Sequence, residues 1–384
     1  MTDPPRPRVR EAVEKCHVAG VKILMITGDY GLTAECIARK LGIVKSTPFS
    51  LTGSDLDKMN DPDLKKVLAL DELILARLAP DHKLRIVQAS QEMGQVVAVT
   101  GDGVNDAPAL KKAHIGVAMG IAGTDVAKEA SDMVLVDDNF ASIVDAIEEG
   151  RAVYANIKKF TSYIFTSNIP EAIPFILFAL SGGRIPLALN IMQILAVDLG
   201  TDIVPALALG SEPPEPEVME KSPRSLQEHV ITSGMLAQSY GFLGIIQSIA
   251  AMSAFYFNYW INSYWGQFFD LPSEGLIYSS ATAMTLAAIV TTQIGNLFAQ
   301  RTELTSFLRT KPFSNRLIWA GIASELAILI CIIYVPLFQQ IFKTSSLPLI
   351  PNWIFLFALM PSLLLADEIR KALIRRRKLK MKRQ

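Results

Sequence analysis

The chain has 384 residues, with 37 basic and 37 acidic side chains and therefore no formal net charge. This balance lacks the basic excess typical of nucleic-acid-binding proteins. Half of the residues are hydrophobic and the mean hydropathy is +0.31, which is high for a wholly soluble protein. The three cysteines, Cys16, Cys36 and Cys331, are too scattered to predict a disulfide framework.

Residues 1–140 alternate short apolar runs with helical patterns, as a water-soluble α/β domain does. The runs predict strands at 21–26, 73–76, 96–99, 115–119 and 133–136, and helices at 31–41, 80–93 and 107–112. Such alternation favours a doubly wound parallel sheet, and the run 96–99 is typical of a buried parallel strand. Ligands of these sheets bind at the carboxyl ends of the strands.

The segment that follows the run 96–99 reads TGDGVNDAPAL, residues 100–110. Gly101 and Gly103 permit a sharp turn that a side chain would obstruct. Asp102, Asn105 and Asp106 project from that turn, and oxygen ligands so placed suit a hard cation such as Mg2+ that bridges to phosphate. The alternative is a capped helix start in which Asp106 accepts backbone N–H groups.

This long run resembles the hinge motif of P-type cation-transporting ATPases. Segments at 3–6, 25–29 and 79–83 (DPPR, MITGD and APDHK) stand in the order seen in the phosphorylation domain of that family. The resemblance implies a haloacid-dehalogenase-like fold, a Rossmann-type parallel sheet, followed by an all-α transmembrane bundle of about six helices.

The resemblance also implies the roles of individual residues. Thr27 and Gly28, with Asp29 in the same turn, would bind the transferred phosphoryl group, and Lys83 would neutralise its charge. The implied Mg2+ ligands are Asp102, Asp106 and Asn105. Taken without the neighbouring motifs, Lys83 would be interpreted as a solvated helix lysine.

The sequence contains no DKTGT motif, which carries the nucleophilic aspartate of the family, and no TGES motif. In the family these motifs and the nucleotide-binding domain lie N-terminal to the position of Met1, and the nucleophile's strand is central. We therefore expect an incomplete sheet with unpaired strand edges, in a C-terminal portion that is inactive alone and needs the N-terminal half to bind ATP. His114 replaces a carboxylate of the family, and a surface histidine is the preferred interpretation.

Residues 141–160 have helical periodicity and continue without a break into an apolar run near 160–180. We expect one helix that passes from the soluble domain into the lipid bilayer. Five further spans are predicted near 187–210, 232–258, 276–299, 317–337 and 351–366. Basic residues predict that both ends of the membrane domain, 161–369, and the tail, 370–384, lie in the cytosol, most simply at the plasma membrane. The tail could also bind anionic lipid, but a topology anchor is the preferred interpretation.

Polar side chains interrupt two of these spans. They are Tyr163, Ser167, Asn168 and Glu171 in the first span, and Asp198 and Asp202 in the second. Their spacing places them on common helix faces, and nearby prolines and Gly200 would break the helices and free carbonyl oxygens. Carboxylates in apolar spans indicate function, here cation binding. The alternative is that they make contacts between helices.

The stretches 166–171 and 197–206 look most like the sodium/potassium pump branch of the family. Gln293, Asn296 and Glu325 match polar positions near the third sodium site of that branch, although its animal members have aspartate at the position of Asn296. The resemblance implies transport of Na+ and K+ through an aspartyl-phosphate cycle. A Ca2+ pump and a non-catalytic membrane fragment are the alternatives, and the transport ratio is open.

Overall fold

The computed structural model describes residues 6–381, except for the side chains of residues 378 and 379. The expected family segment at 3–6 and the end of the basic tail therefore lie partly outside the described residues. The chain divides into two compact units, Met1–Arg151 with Pro216–Glu228, and Ala152–Glu215 with His229–Gln384.

The first unit is an α/β domain. Its strands are β1 (Met25–Ile26), β2 (Phe49–Thr52), β3 (Leu73–Ala76), β4 (Ala98–Gly101), β5 (Ile115–Met119) and β6 (Met133–Leu135). Its helices are α1 (Val9–Val18), α2 (Gly31–Leu41), α3 (Gly53–Leu56), α4 (Asp61–Leu68), α5 (Pro80–Glu92), α6 (Ala107–Lys112) and α7 (Asp125–Glu129). All strand pairings are parallel, as predicted.

The strands form two separate three-stranded sheets, in the orders β1–β3–β2 and β4–β5–β6. Each sheet has its own apolar core. Leu64, Leu75 and Ile86 are buried in the first core, and Leu110 and Ala118 in the second. Within the described residues, β1 pairs only with β3 and β4 only with β5, so each has one unpaired edge, as an incomplete sheet predicts.

Two of the predicted strands differ from the structure. The strand predicted at 21–26 is reduced to Met25–Ile26, which pairs with Ile74 and Leu75 of β3. The prediction of a buried strand at 96–99 was wrong: β4 begins at Ala98, and both Ala98 and Thr100 are exposed. By contrast α2, β3, α6 and β5 have the predicted bounds.

The second unit contains helices that are long and apolar enough to cross a membrane. Six such spans lie in the described residues, at Phe140–Leu180, Ile191–Gly210, Ser233–Ile261, Leu276–Gln300, Arg316–Tyr334 and Leu349–Arg377. The first is helix α8, which begins in the first unit and continues through Pro170 and Pro174 to Leu180 without interruption. The predicted number of spans is confirmed.

The second span consists of α9 (Ile191–Ala196), a wide π-helical turn (Val197–Thr201) and α10 (Ile203–Gly210). The prediction of a broken helix is corrected here, because the backbone widens into a π turn and stays helical. Within it the Asp202 N–H donates to the Val197 carbonyl at 3.0 Å.

The remaining helices of this unit are α11 (Ser233–Leu236), α12 (Gly244–Ile261), α13 (Leu276–Gln300), α14 (Arg316–Tyr334), α15 (Pro336–Phe342), α16 (Ile354–Leu359) and α17 (Ser362–Met381). Helix α13 is the centre of the bundle, because almost every residue from Ala281 to Leu297 is fully buried. Its polar side chains therefore need partners within the protein. The predicted tail begins as a continuation of α17.

Candidate functional sites

The turn after β4 is built around a close contact between Gly101 and Asp106. A Cβ atom on Gly101 would lie 2.4 Å from the Cβ of Asp106, so only glycine fits there. A Cβ on Gly103 would meet nothing nearer than 3.8 Å, and the expected need for glycine at that position was wrong on steric grounds. The buried Asp106 carboxylate accepts the N–H groups of Asp102 and Gly103, each at 3.3 Å.

The other oxygen of Asp106 pairs with Lys83. The Lys83 Nζ and Asp106 Oδ1 atoms are 2.5 Å apart, and only 21% of the lysine side chain is exposed. Lys83 stands in the first turn of α5, which follows β3, whereas Asp106 follows β4. The ion pair therefore joins the carboxyl ends of the two sheets, and Lys83 is not a solvated lysine.

Asp102 and Asn105 have exposed side chains beside this pair. Two carboxylates and one amide oxygen are a donor set that suits Mg2+, which keeps several waters and is completed by phosphate. Groups of three or more His, Cys, Asp or Glu side chains that could hold a metal are absent from the part of the chain that is described.

The Thr27–Asp29 turn follows β1 at the same end of its sheet. The Thr27 N–H donates to the Leu75 carbonyl at 2.9 Å, and the Thr27 hydroxyl accepts the Asp29 N–H at 3.0 Å. Gly28 and Asp29 are exposed. In residues 6–381 this turn makes no hydrogen bond or ion pair with Lys83 or Asp106.

His114, whose role was open, lies on the surface at the start of β4. Its Nδ1 accepts the Val97 N–H at 3.1 Å. The contact stabilises the backbone where β4 begins, and it agrees with the interpretation of a surface histidine.

Buried polar side chains of the membrane unit meet around Asp202. Tyr163, Ser167 and Glu171 lie buried along one face of α8, and Asn168 beside them is half-buried. The Ser167 hydroxyl donates to the Ile164 carbonyl of its own helix at 2.9 Å, and the Tyr163 carbonyl accepts Asn296 Nδ2 at 3.4 Å.

Gln293 of α13 approaches the same carboxylate, because its Nε2 donates to Asp202 Oδ2 at 3.0 Å. Asn296 Nδ2 donates in turn to Gln293 Oε1 at 2.8 Å. Glu325 of α14 is fully buried and interacts electrostatically with Asp202. Four helices therefore contribute to one polar cluster.

Several oxygens of this cluster are buried and have no hydrogen-bond partner among the described residues. They are Tyr163 OH, Glu171 Oε1, Asp202 Oδ1, and Oε1 and Oε2 of Glu325. Unsatisfied buried oxygens are costly, and a bound ion is one of the few things that satisfies them. Oxygen atoms alone are what a hard cation requires.

Asp198 does not share the burial of Asp202. Its side chain is exposed, although its charge acts on both Glu171 and Asp202. The two carboxylates therefore differ in burial, although their spacing of four predicted a common helix face.

Sequence analysis also missed two buried groups near the end of α13. Gln300 donates to Asn296 Oδ1 at 3.2 Å, and its spacing of four from Asn296 was an available signal. Arg301 forms a buried ion pair with Glu212, at 3.0 Å from Nε to Oε1. No local pattern connects two residues so far apart in the chain.

Comparisons with known families and proteins agree with this architecture. Residues 186–373 match the family model of the cation-transporting ATPase C-terminus, and residues 1–114 and 85–147 match models of haloacid dehalogenase-like hydrolases.

Two relatives match almost the whole chain. The chain is 36% identical to the sodium/potassium-transporting ATPase subunit alpha-4 of Rattus norvegicus, over 98% of the chain and 41% of that protein. It is 42% identical to the calcium-transporting ATPase of Bacillus subtilis (strain 168), over 96% of the chain and 39% of that protein. The chain thus spans about two fifths of the length of these relatives.

The six apolar spans and the membrane ATPase relatives together indicate a multi-pass membrane protein. The soluble unit has the haloacid-dehalogenase-like fold, and the helical unit matches the C-terminus of cation-transporting ATPases. The chain belongs to the P-type cation-transporting ATPase family and corresponds to the C-terminal portion of its members.

Proposed function

We propose that this chain is the C-terminal part of an ATP-driven pump that moves cations through an aspartyl-phosphate cycle. The observation that carries the proposal is the set of buried, unpartnered oxygens around Asp202, inside helices of a family of cation pumps. The cation ligands are Glu171, Asp202 and Glu325, with Tyr163, Ser167 and Asn168 beside them and Asp198 at the exposed edge.

The first unit contributes part of the phosphoryl-transfer site. Lys83 and the Asp102–Asp106 loop lie together at the carboxyl ends of β3 and β4, where anionic phosphate would need positive charge. Asp102, with Asn105 and Asp106, would hold Mg2+, which neutralises the charge that develops on the transferred group. Thr27 and Gly28 would hold the phosphoryl group itself through a hydroxyl and a backbone N–H.

The nucleophile, the nucleotide-binding domain and the actuator come, in this proposal, from the N-terminal half of the pump. The unpaired edges of β1 and β4 support this, since an added strand would satisfy their backbone groups. The position of Asp198 gives independent support for an N-terminal half. Its side chain is exposed on an apolar span beside the exposed Leu195 and Leu199, and this carboxylate would face hydrocarbon unless another part of the pump covered it.

A phosphorylation assay tests this proposal. The purified chain with Mg2+ and radiolabelled ATP should form no acid-stable phosphoenzyme and hydrolyse no ATP. Adding an N-terminal half that carries the DKTGT segment should produce a phosphoenzyme whose level depends on cations. Phosphoenzyme or ATP hydrolysis with the chain alone would contradict the proposal that the N-terminal half supplies the nucleophile and the ATP site.

For the transported ions we propose Na+ and K+, on the resemblance of the stretches 166–171 and 197–206 to the sodium/potassium branch. Ca2+ is the second candidate, supported by the 42% identity to the bacterial calcium-transporting relative, against 36% for the sodium/potassium one. Uptake of 22Na+, 86Rb+ and 45Ca2+ into vesicles by the completed pump separates the two. Asp198→Asn should reduce sodium-dependent uptake more than calcium-dependent uptake if the first assignment holds.

A non-catalytic membrane fragment is the remaining alternative. A reading frame next to the coding region that encodes the DKTGT segment would support the pump. We place the protein in the plasma membrane, with the basic end of α17 at its cytosolic face.

A further inference from the structure

Three side-chain amides of α13 form one hydrogen-bonded series that ends on Asp202. Gln300 Nε2 donates to Asn296 Oδ1 at 3.2 Å, and Asn296 Nδ2 donates to Gln293 Oε1 at 2.8 Å. Gln293 Nε2 then donates to Asp202 Oδ2 at 3.0 Å. Gln293 and Asn296 are fully buried and Gln300 is 7% exposed. We call this series the amide ladder.

The carboxylate sets the direction of the ladder. An ionised carboxylate only accepts hydrogen bonds, so Gln293 must turn its NH2 group toward Asp202 and its carbonyl oxygen toward Asn296. Asn296 must then donate to Gln293, which leaves its own oxygen for Gln300. The orientation of all three amides is therefore fixed in series, from Asp202 to the last residue of α13.

The far end of the ladder adjoins a buried ion pair. Gln300 precedes Arg301, whose guanidinium is buried against Glu212 and also donates to the Ser314 hydroxyl at 2.7 Å. The near end leaves one carboxylate oxygen unused. Asp202 Oδ1 is buried and has no hydrogen-bond partner in residues 6–381. The Tyr163 hydroxyl and both oxygens of the Glu325 carboxylate are also buried without a partner there.

We propose that the amide ladder positions Asp202 and that Gln300 is a positioning residue for the cation site. The ladder holds Oδ2 by an N–H group and leaves Oδ1 for the cation, together with Glu325 and Tyr163. Gln293 and Asn296 use their carbonyl oxygens within the ladder and act as positioning residues instead of cation ligands. This assignment rests on the proposed function, and it changes the roles that the resemblance implied for these two residues.

Cation affinity of the full-length chain in lipid nanodiscs tests the role of Gln300. Gln300→Met removes the amide that donates to Asn296 and keeps nearly the same side-chain length. Equilibrium binding of 22Na+ and 45Ca2+ should weaken about three- to tenfold, as expected for one lost buried hydrogen bond. The number of bound ions should not change, because no ligand is removed. Unchanged affinity in Gln300→Met would overturn the proposal.

Thr291→Val is the matched control. Thr291 is fully buried on α13, and within residues 6–381 its hydroxyl donates only to the Ala287 and Ala288 carbonyls of its own helix. This variant should bind both cations with wild-type affinity. An equal loss of affinity in Thr291→Val and Gln300→Met would show a general effect on helix packing and would overturn the ladder.

A double-mutant cycle separates failure of the ladder from failure of the cation site. The melting temperatures of Gln293→Met, Gln300→Met and the double variant should be non-additive, because each change disrupts the same series although the two side chains do not hydrogen bond to each other. Additive effects would overturn the ladder. If the wild-type chain binds neither ion but the cycle is non-additive, the ladder stands as a structural series and the proposed cation site is overturned.

Discussion

Lys83 and Asp106 form an ion pair, 2.5 Å from Nζ to Oδ1, that links the helix after β3 to the loop after β4. The two residues come from different three-stranded sheets. The pair therefore brings a cationic side chain and a buried carboxylate to the edge where phosphate is expected. It also links the two sheets of the domain.

Lys83→Met should destabilise the chain by about 1–3 kcal/mol, because it leaves the buried Asp106 acceptor without its partner. Lys66→Met is the control. Lys66 pairs with Asp63 at 2.8 Å, but its side chain is largely exposed, so Lys66→Met should lower the melting temperature much less. Thermal unfolding of both variants measures the difference. Equal melting temperatures would contradict a structural role for the Lys83 pair.

Gly101→Ala should destabilise the loop strongly, because the added Cβ would overlap the Cβ of Asp106 and displace it. The expected cost is about 1–3 kcal/mol, the range for overpacking. Gly103→Ala, with nothing within 3.8 Å of the added carbon, should cost less than about 1 kcal/mol. Chemical denaturation curves compare the two. A larger effect at Gly103 would show that the turn has a different conformation.

Arg301→Met should cost about 3–5 kcal/mol, because it leaves the buried Glu212 carboxylate without a counter-charge. The control is Arg184→Met, which breaks a pair with Asp270. Both side chains of that pair are more than half exposed, so this variant should lower the melting temperature much less. Melting temperatures in detergent measure both. If Arg301→Met melts with the wild-type chain, the buried pair does not support the bundle.

Acid should destabilise the first unit partly through Asp138. The N–H groups of Ile121 and Ala122, at 2.9 and 2.8 Å, hold the pKa of this carboxyl below its ordinary value against the opposing effect of burial. A depressed folded-state pKa gives stability that is present above the unfolded value of about 3.9 and is lost as the pH falls through the folded value.

Asp138→Asn, which also tolerates the positive φ of 48° at this position, should therefore flatten the decline in melting temperature between pH 6 and pH 3. Parallel pH profiles for the variant and the wild-type chain would show that Asp138 does not contribute.

Sequence patterns predicted the elements whose causes are local. Helix α2 ends as expected because Gly42 adopts a left-handed φ of 79°, and β3 is a continuous apolar run between polar turns. The exposure of β4 was not predictable from its apolar sequence, because the burial of a strand depends on how many strands flank it in space.

In the candidate cation site, too, sequence patterns predicted local features but not those that depend on packing. The burial of Glu171 and Asp202 followed from carboxylates within apolar spans, but the exposure of Asp198 did not, because spacing along one helix does not show which neighbouring helices cover a side chain. The partners of Asp202 on α13 and the pairing of Arg301 with Glu212 depend on long-range packing, which spacing along one helix does not reveal.

Cation binding by the cluster around Asp202 can be measured directly. The melting temperature of the full chain should rise with increasing Na+, K+ or Ca2+. At an ion concentration 100 times the dissociation constant, the free energy of unfolding should increase by about 2.7 kcal/mol. Asp202→Asn should abolish the rise, whereas Asp270→Asn, in an exposed loop, should retain it. No rise in the wild-type chain, or the same rise in Asp202→Asn, would contradict the account.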